Sequence, residues 1–446
     1  MRYFGILLLP LLACDSAVPV GTGGRDATPF NDARADAAPE FEDAAAAPDA
    51  VEPVQDAGTS GCTSHAACGL GGYCDDLSGG RCLTCAADDE AHCGNASSPP
   101  GCQICSGSTP ECSAGACACV NPAPLSWVRL DIRGAAPSPR KEHSAIYDAQ
   151  SQAMIVFAGD DGSLRSDLWS LALSGTPAWT RLTPTAVMST PSARSQHGAV
   201  YNARRRSMLV FGGDEAPGRE EYVWELALVG PPAWTGGPPD FVGGPSTRKG
   251  HWFVQSSRSH SSIMFGGDVP LDYQKGPYRL DLDVVGVGNR WFNPASGTRP
   301  SATVGAAAIY DPIEDRIVQF GGAVGTSTVI VDAVAILSNV DGQPNWGTVN
   351  IVGPHPSARR DHSAVYDSQH ERMLVYGGFD GTAVSDELWS FDVSSAPRWT
   401  RLTPAGTAPG PRRGHTAIYD EPRDRMIIFG GDDTSDVYAL EGESCR

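Results

Sequence analysis

Beyond residue 120 the chain alternates between short apolar stretches and polar turns. In the clearest copy, residues 362–367 (H-S-A-V-Y-D) predict a first strand, and a polar turn follows. Residues 373–378 (M-L-V-Y-G-G) form a continuous apolar run, which is typical of a strand buried on both faces. After an Asp/Gly loop, residues 387–392 and 397–402 predict two more strands. The pattern therefore predicts a unit of four short strands.

This unit recurs six times, at spacings of 53 to 56 residues. The second strand ends in paired glycines, with Ala158-Gly159 as a variant, at Gly212-Gly213, Gly266-Gly267, Gly321-Gly322, Gly377-Gly378 and Gly430-Gly431. The fourth strand carries a tryptophan at Trp179, Trp234, Trp291, Trp346 and Trp399. The 51 glycines and 35 prolines agree with the many tight turns of an all-β fold.

The double glycine after the second strand and the later Tyr/Trp positions resemble the kelch repeat. The resemblance covers roughly residues 124–446. It implies a β-propeller, in which four-stranded blades stand around a central channel.

The repeat register predicts how the ring closes. The sixth unit ends at residues 437–440, its third strand, and no tryptophan follows. Residues 126–130 supply the missing strand, because Trp127 precedes Trp179 by 52 residues, in step with the other units. We therefore predict an all-β, six-bladed kelch-type propeller at 122–446 that is closed by an N-terminal strand, which removes open sheet edges.

The N-terminus predicts export. One arginine and a short apolar run precede L-L-A-C, which resembles a bacterial lipobox and implies cleavage after a signal peptide of residues 1–13 and acylation of Cys14. The alternative is an ordinary secretory signal with an incidental cysteine. Residues 14–61, rich in Ala, Asp and Pro, predict a disordered acidic tether. The expected location is a bacterial membrane, on the periplasmic side or at the cell surface.

Residues 62–121 hold eleven of the 13 cysteines and few large apolar side chains. Such a segment needs covalent or metal cross-links to fold. Cys82-x-x-Cys85 and Cys102-x-x-Cys105 match a zinc-ribbon spacing, but an exported chain with seven more cysteines here favours a small disulfide-rich module. Because eleven is odd, we predict that Cys445 pairs with Cys117 or Cys119.

Five units share an Arg-x-x-His motif before the first strand, at Arg140/His143, Arg194/His197, Arg248/His251, Arg359/His362 and Arg412/His415. Five carry an aspartate after the glycines, at Asp160, Asp214, Asp268, Asp380 and Asp432. The fourth unit has Thr303, Ala306 and Ala323 instead. We therefore predict that these aspartates bond the arginines or histidines between adjacent blades. The alternative is a ring of arginines that binds an anionic ligand at the channel mouth.

The net charge of −19 argues against nucleic acid as a partner. No catalytic motif such as G-x-S-x-G or HExxH is present, and the blades lack the cysteine of copper-radical kelch oxidases. No cofactor or metal is predicted, and His260, His355 and His370 are interpreted as surface or core residues. We predict a monomeric envelope module that binds a protein, peptide or glycan. The alternative, implied by sialic-acid-isomerising kelch proteins, is an enzyme acting on a small acidic sugar in the channel.

Overall fold

A computed structural model describes the chain over most of its second half and part of its first. The described residues are 72–74, 82–84, 110–113, 116–119 and 124–442, apart from 187–188, 216–221, 237–243, 270–275, 285–287, 293–299, 302, 325–328, 394–396 and 433. The predicted signal peptide, Cys14, the tether and Cys445 lie outside these residues. Their assignments therefore stay predictions.

Each repeat forms an antiparallel sheet of four strands, named here the first to fourth strand from the inside outwards. Blades 1 to 3 comprise Ser144–Asp148, Ala153–Asp160, Leu164–Ala172 and Ala178–Leu182; Gly198–Asn202, Ser207–Phe211, Val223–Ala227 and Ala233–Gly236; and Lys249–Gln255, Ser262–Asp268, Tyr278–Val284 and Gly288–Phe292. Blades 4 and 5 comprise Ala307–Asp311, Arg316–Phe320, Val334–Ser338 and Asn345–Thr348; and Ser363–Asp367, Arg372–Tyr376, Leu388–Asp392 and Arg398–Leu402.

The sixth blade contains Thr416–Asp420, Arg425–Phe429 and Val437–Glu441, with a short 3-10 helix, Glu421–Arg423, after its first strand. The strand Ser126–Arg129 pairs antiparallel with Val437–Glu441 and places Trp127 opposite Leu440. On its other side Ala405–Gly406 runs parallel to it. In the same way Thr185–Ala186 runs parallel to the fourth strand of blade 2.

The first strands contact one another in a closed cycle around the channel. The predicted six-bladed all-β propeller is thus confirmed. Two short ladders, Arg194–Ser195 with Asp214–Glu215 and Thr303–Val304 with Ala323–Val324, join the entry of a blade to its loop between the second and third strands.

A ring of backbone hydrogen bonds surrounds the channel entrance. We call it the mouth ring, and it is formed by Glu142, Gln196, Gly250, Gly305, Asp361 and Gly414. Each N–H donates to the carbonyl of the corresponding residue in the preceding blade, over 2.6 to 2.9 Å. All six have left-handed φ values of 55° to 70°, which explains glycine at three of the positions. The ring ties blade 6 to blade 1 through Glu142 and Gly414.

Aromatic side chains fill the space between blades. The tryptophan of each fourth strand contacts an aromatic residue at the end of the second strand in the preceding blade, with ring centroids 4.8 to 5.6 Å apart. The pairs are Trp127–Tyr376, Trp179–Phe429, Trp234–Phe157, Trp291–Phe211, Trp346–Phe265 and Trp399–Phe320. Each such pair contributes about 0.5–1.5 kcal/mol beyond area burial.

The glycine pairs are explained by the close approach of the next blade. A Cβ on Gly377 would lie 2.5 Å from the carbonyl oxygen of Arg412, and one on Gly321 would lie equally close to that of Arg359. Both glycines also have positive φ. Glycine relieves both the close approach and the positive φ at this position, where blade 1 alone of the six has a small alanine, Ala158, with φ 60°.

Two short hairpins are described in the cysteine-rich segment. Gly72–Cys74 pairs with Cys82–Thr84, and Pro110–Ser113 pairs with Ala116–Cys119. Their registers place Cys74 opposite Cys82 and Cys112 opposite Cys117. Within the described residues, no helix has both the length and the apolar character needed to cross a membrane.

Candidate functional site

The five motif arginines lie inside the blades rather than at the channel mouth. Each is at most 2 % exposed. Each guanidinium donates to the carbonyl at the turn after the second strand of its own blade, over 2.9 to 3.1 Å, at Ala158, Gly212, Gly266, Gly377 and Gly430. A buried, hydrogen-bonded guanidinium has no surface to offer a ligand. The geometry thus does not support the predicted anion-binding ring.

The carboxylates that neutralise these arginines are not the predicted aspartates. The pairs are Arg140–Asp167 at 2.7 Å, Arg194–Glu215 at 2.9 Å, Arg359–Glu387 at 2.7 Å and Arg412–Asp436 at 3.0 Å. All of them lie within one blade rather than between blades. The guanidinium of Arg248 lies 5.2 Å from the ring centroid of Tyr278. The predicted partner was therefore wrong for the four arginines of these pairs.

The five predicted aspartates are at the blade surface. Asp160 and Asp380 accept backbone hydrogen bonds within their own loops, from Gly162 and from Thr382 and Ala383. Asp214 pairs with Lys249 at 2.8 Å, and Asp432 pairs with Arg413 at 3.3 Å. Asp268 lies opposite Lys249 in the sheet register. These aspartates follow the glycine turn and lie at the blade surface. The arginine side chain passes beneath that turn and reaches a different carboxylate of its own blade.

A sequence signal for the true partners exists two residues before the third-strand aromatic. Asp167 precedes Trp169 and Glu387 precedes Trp389 at this spacing, and each indole donates to that carboxylate, over 2.7 and 3.0 Å. Asp436 precedes Tyr438 in the same way. In blades 1 and 5 one carboxylate thus binds both the arginine and the third-strand tryptophan, and blade 4, with Thr303 and Ala335 at these positions, has neither group.

The motif histidines make contacts between blades. His143 bonds Thr416, His197 bonds Ser144 and His415 bonds Ser363, each through Nε2 over 2.7 to 2.8 Å. The hydroxyl always belongs to the first residue of the first strand in the preceding blade. In the same arrangement His251 faces Gly198, where a Cβ would lie 2.7 Å from Nε2. The predicted contact between blades thus exists, with a hydroxyl rather than a carboxylate.

Burial keeps these histidines neutral. Desolvation, assisted by the neighbouring motif arginine, lowers the pKa of His143, His251 and His362 to about 3. The same causes lower the pKa of His197 and His415 well below the usual value. A neutral ring can share a hydrogen bond with a hydroxyl in either direction.

Blade 4 replaces the motif by a different polar contact. Trp252 of blade 3 donates its indole N–H to Gln319 over 2.7 Å, and the Gln319 amide donates to Thr303 over 3.1 Å. Thr303 and Ala306 stand where the other blades have Arg and His. Blades 3 and 4 are therefore linked by an indole and an amide where the histidine contact is missing.

Ala307 is the first residue of its first strand, at the position of Ser144, Ser363 and Thr416. We expect Ala307→Ser to give His362 the hydroxyl that three other histidines have, and to raise the free energy of unfolding by about 0.5–1.5 kcal/mol. Urea unfolding of both proteins measures the change. Ala308→Ser, one residue along the strand and facing the other way, is the matched control and should bring no gain.

A second set of contacts joins the blades at the opposite end of the first strands. Tyrosines donate to the aspartate that ends the first strand of the preceding blade, over 2.7 to 3.4 Å. The pairs are Tyr147–Asp420, Tyr201–Asp148, Tyr366–Asp311 and Tyr419–Asp367. The recurrent Tyr-Asp ending of the first strand is the sequence signal for them, and our sequence analysis did not use it.

The side chains available to a ligand at the channel entrance come from the mouth ring. Only Glu142, Gln196 and Asp361 of its six members carry side chains. Burial raises the pKa of Asp361 to about 6, opposed by the nearby Arg360 and reinforced by Glu142. Carboxylates whose pKa is raised by burial are common at functional sites.

Blade 4 also differs in the loop between its second and third strands. The other loops carry aspartate just after the glycines, whereas this loop carries Ala323 there, followed by Val324, Val329 and Ile330, and Val329 is 59 % exposed. Ile330 reaches towards Gly381 of blade 5, where an added Cβ would meet its Cδ1 at 3.4 Å. The loss of the motif and the exposure of an apolar side chain, Val329, thus occur in the same blade.

The blade 5 loop beside it carries an aromatic ring between two cations. The guanidinium groups of Arg360 and Arg413 lie 5.7 and 4.7 Å from the ring centroid of Phe379. Arg413 also pairs with Asp432. We call Val324, Val329, Ile330, Phe379, Arg360 and Arg413 the blade 4/5 patch. It combines an apolar centre with charged neighbours.

Comparison with known proteins places this propeller in a family. The sequence profile described as the KLHDC2/KLHL20/DRC7 Kelch-repeats domain matches residues 104–268 and 312–444. The chain belongs to this kelch-repeat family. The unmatched stretch between the two segments contains Thr303 and Ala306, where the Arg-x-x-His motif is absent.

Individual relatives match only part of each chain. Human "Host cell factor 2" is 26% identical over 277 residues, covering 54% of this chain and 31% of that protein. "Acyl-CoA-binding domain-containing protein 4" of Arabidopsis thaliana is 32% identical over 257 residues, covering 55% and 36%. The chain thus spans about a third of the length of these relatives. The solved structure titled "Structure of YjhT" aligns with a TM-score of 0.49 and 14% identity, covering 69% of this chain and 95% of that chain.

Proposed function

We propose that this propeller binds a partner protein or peptide through the blade 4/5 patch. Kelch propellers are commonly protein-interaction modules. The proposal rests mainly on one observation, the break in the repeat at blade 4. The patch exposes Val329 in the loop next to that of Phe379, whose ring lies near Arg360 and Arg413. Aromatic residues and arginine are enriched in the centres of protein interfaces. Aliphatic side chains at the centre favour a protein or peptide over a glycan.

The face follows from the strand order. Consecutive strands are antiparallel, so the entry to the first strand and the loop between second and third strands lie at one end of each blade. The turn between first and second strands lies at the other end. Val329 is therefore on the same face as the mouth ring, and Ile313 is on the opposite face.

The enzyme alternative is not favoured. The arginines and histidines that would line a catalytic channel are buried and engaged in the blades. A cleft of about 480 Å³ is lined by residues that include Asp167 and Trp169, which hold Arg140 and are counterparts of Glu387 and Trp389. The carboxylate in its wall is thus engaged in the repeated framework and is not free to act as a catalytic group.

We also propose that the chain is a lipid-anchored envelope protein, attached through Cys14, with the acidic segment as tether. Support comes from the N-terminal sequence alone, and membrane fractionation of the expressed chain checks it. We further propose that Ser126–Arg129 closes the ring as the fourth strand of blade 6. Its pairing with Val437–Glu441 supports this proposal.

Two variants of equal chemistry on opposite faces test the binding proposal. Val329→Asp places a charge in the patch, and Ile313→Asp does the same at a residue that is also exposed in blade 4. We expect Val329→Asp to lower recovery of the partner captured from the native envelope at least about tenfold, which corresponds to about 1.4 kcal/mol. Ile313→Asp should capture as the unaltered chain does.

Equal recovery with both variants would place the binding surface elsewhere. Recovery of no partner, together with turnover of a small acidic sugar, would refute the binding proposal and support the enzyme alternative.

A further inference from the structure

Three side chains with metal-ligating atoms meet where blades 5 and 6 join, on the face opposite the blade 4/5 patch. Asp367 ends the first strand of blade 5, His370 lies in the following turn, and Asp424 lies in the corresponding turn of blade 6. Their ligand atoms all lie within 4.8 Å of one another. We infer that they bind one divalent transition-metal ion, for which zinc is the appropriate probe.

The donor set suits such an ion. One imidazole nitrogen and two carboxylates are ligands that zinc accepts, and three protein ligands leave a position for water. The Nδ1 of His370 lies 3.0 Å from each carboxylate oxygen of Asp367. Two ligands that are each about 2.0 Å from a tetrahedral ion are about 3.3 Å apart. Little movement is therefore needed for both to reach the same ion.

Two other blade junctions have a guanidinium at these positions. Between blades 6 and 1 they are Asp420, Arg423 and Gln152, and Arg423 donates to both Asp420 and Gln152. Between blades 1 and 2, Arg206 pairs with Asp148 at 3.0 Å. In both cases a guanidinium reaches across the junction.

At the junction of blades 5 and 6, the residue that blade 6 contributes is a second carboxylate, Asp424. Arg372 donates to Asp367 over 2.8 Å, as Arg425 does to Asp420. Two carboxylates therefore face one guanidinium and a histidine. A divalent ion would supply the positive charge that Arg423 or Arg206 supplies elsewhere.

The hydrogen bonds of the Tyr419 hydroxyl also support a bound cation. Its hydroxyl lies within hydrogen-bond distance of both Asp367 and Asp424. A hydroxyl has one proton and can donate to only one of them. Asp367 is also bonded by Arg372, so when Tyr419 donates to Asp367, an ion ligated by Asp424 would compensate the charge of the second carboxylate. Because the ion would connect two blades, it would stabilise the ring independently of partner binding.

The sequence pattern did not reveal this cluster, since His370 stands alone in its own repeat. Asp424 reaches it only because blade 6 docks against blade 5. His355 provides a matched control, because it is an exposed histidine that has a single carboxylate partner, Asp332, at 3.3 Å.

Calorimetric titration of the full chain with zinc at neutral pH tests the inference. We expect His370→Ala to lose one zinc site, or to raise its Kd at least about 10–100-fold, while His355→Ala binds as the unaltered chain does. Asp424→Asn, a milder change, should weaken the same site. Zinc should also raise the Tm of the unaltered chain and of His355→Ala more than that of His370→Ala.

Comparing variants subtracts any zinc held by the cysteine-rich segment. Equal zinc stoichiometry and equal Kd for the unaltered chain, His370→Ala and Asp424→Asn would overturn the inference and leave the cluster as an ion pair of protonated His370.

Discussion

Lowering the pH from 7 to 5 is expected to remove several kcal/mol from the free energy of unfolding. The cause is the set of five buried motif histidines, His143, His197, His251, His362 and His415. Burial lowers the pKa of each, to about 3 at three of them. In the unfolded chain they titrate near 6.5. Between these values the unfolded chain binds more protons than the folded one, so stability falls as the pH falls.

The magnitude follows from proton linkage. One histidine that is protonated only when the chain unfolds costs about 2 kcal/mol between pH 7 and pH 5. Five such histidines give at most about 9 kcal/mol. Asp361 acts in the opposite direction because its pKa is raised to about 6, so the folded state gains about 1 kcal/mol over the same interval. The histidines therefore dominate.

Urea unfolding at a series of pH values measures this effect. Replacing one motif histidine, as in His251→Asn, should reduce the pH dependence by one proton, or about 1.4 kcal/mol per pH unit between pH 4 and pH 6. Replacing His355 should not reduce the slope, because its contacts with Gly353 and Asp332 raise its pKa instead of lowering it. A free energy of unfolding that stays constant from pH 7 to pH 5 would show that the histidines are not held neutral in the folded protein.

Replacing Arg194 by leucine is expected to cost about 3–5 kcal/mol, because it leaves a buried carboxylate without its cation. Arg194 and Glu215 are 2.9 Å apart, and the side chains of both are fully buried. The guanidinium also bonds the carbonyl of Gly212, so the glycine turn loses a donor. Thermal or urea unfolding measures the loss.

Two further variants give this prediction its controls. Arg398→Ala removes an arginine that is 75 % exposed and 4.0 Å from Asp392, and it should cost less than about 1 kcal/mol. Adding Glu215→Gln to Arg194→Leu removes the unpaired charge and should recover part of the stability. If Arg194→Leu costs no more than Arg398→Ala, the buried pair does not hold the blade.

The architecture could be predicted from sequence because its determinants are local and repeated. The glycine pairs mark where a neighbouring blade approaches, as at Gly377 beside the carbonyl of Arg412. The fourth-strand tryptophans mark the aromatic contacts between blades. Both signals recur at a nearly constant spacing. Each copy alone carries little information, but six copies in register identify six units.

The contacts of the motif side chains could not be predicted in the same way. Arg140 was expected to bond one of the aspartates that follow the glycine turns, across a blade junction, whereas it bonds Asp167 of its own blade. Linear proximity to the glycine turn does not reveal that the arginine passes beneath it. Likewise Ser144 follows His143 in sequence but bonds His197. Only the offset between docked blades determines that partner.

Blade 4 is understood only when the repeat pattern of the sequence and the contacts in the structure are combined. The sequence indicates that Arg, His, Asp and the third-strand aromatic are missing together. The structure shows that Trp252, Gln319 and Thr303 keep the junction bonded, and that the loop without the aspartate after its glycines exposes Val329. Because the junction is held by other means, this blade is free to carry side chains for binding.

Site-specific photo-crosslinking tests the central claim most directly. A photoreactive amino acid is placed at Val329, in the blade 4/5 patch, or at Ile313, on the opposite face of the same blade. The account predicts that a partner is crosslinked from position 329 and not from position 313. Crosslinking from 313 alone, or equally from both positions, would contradict it.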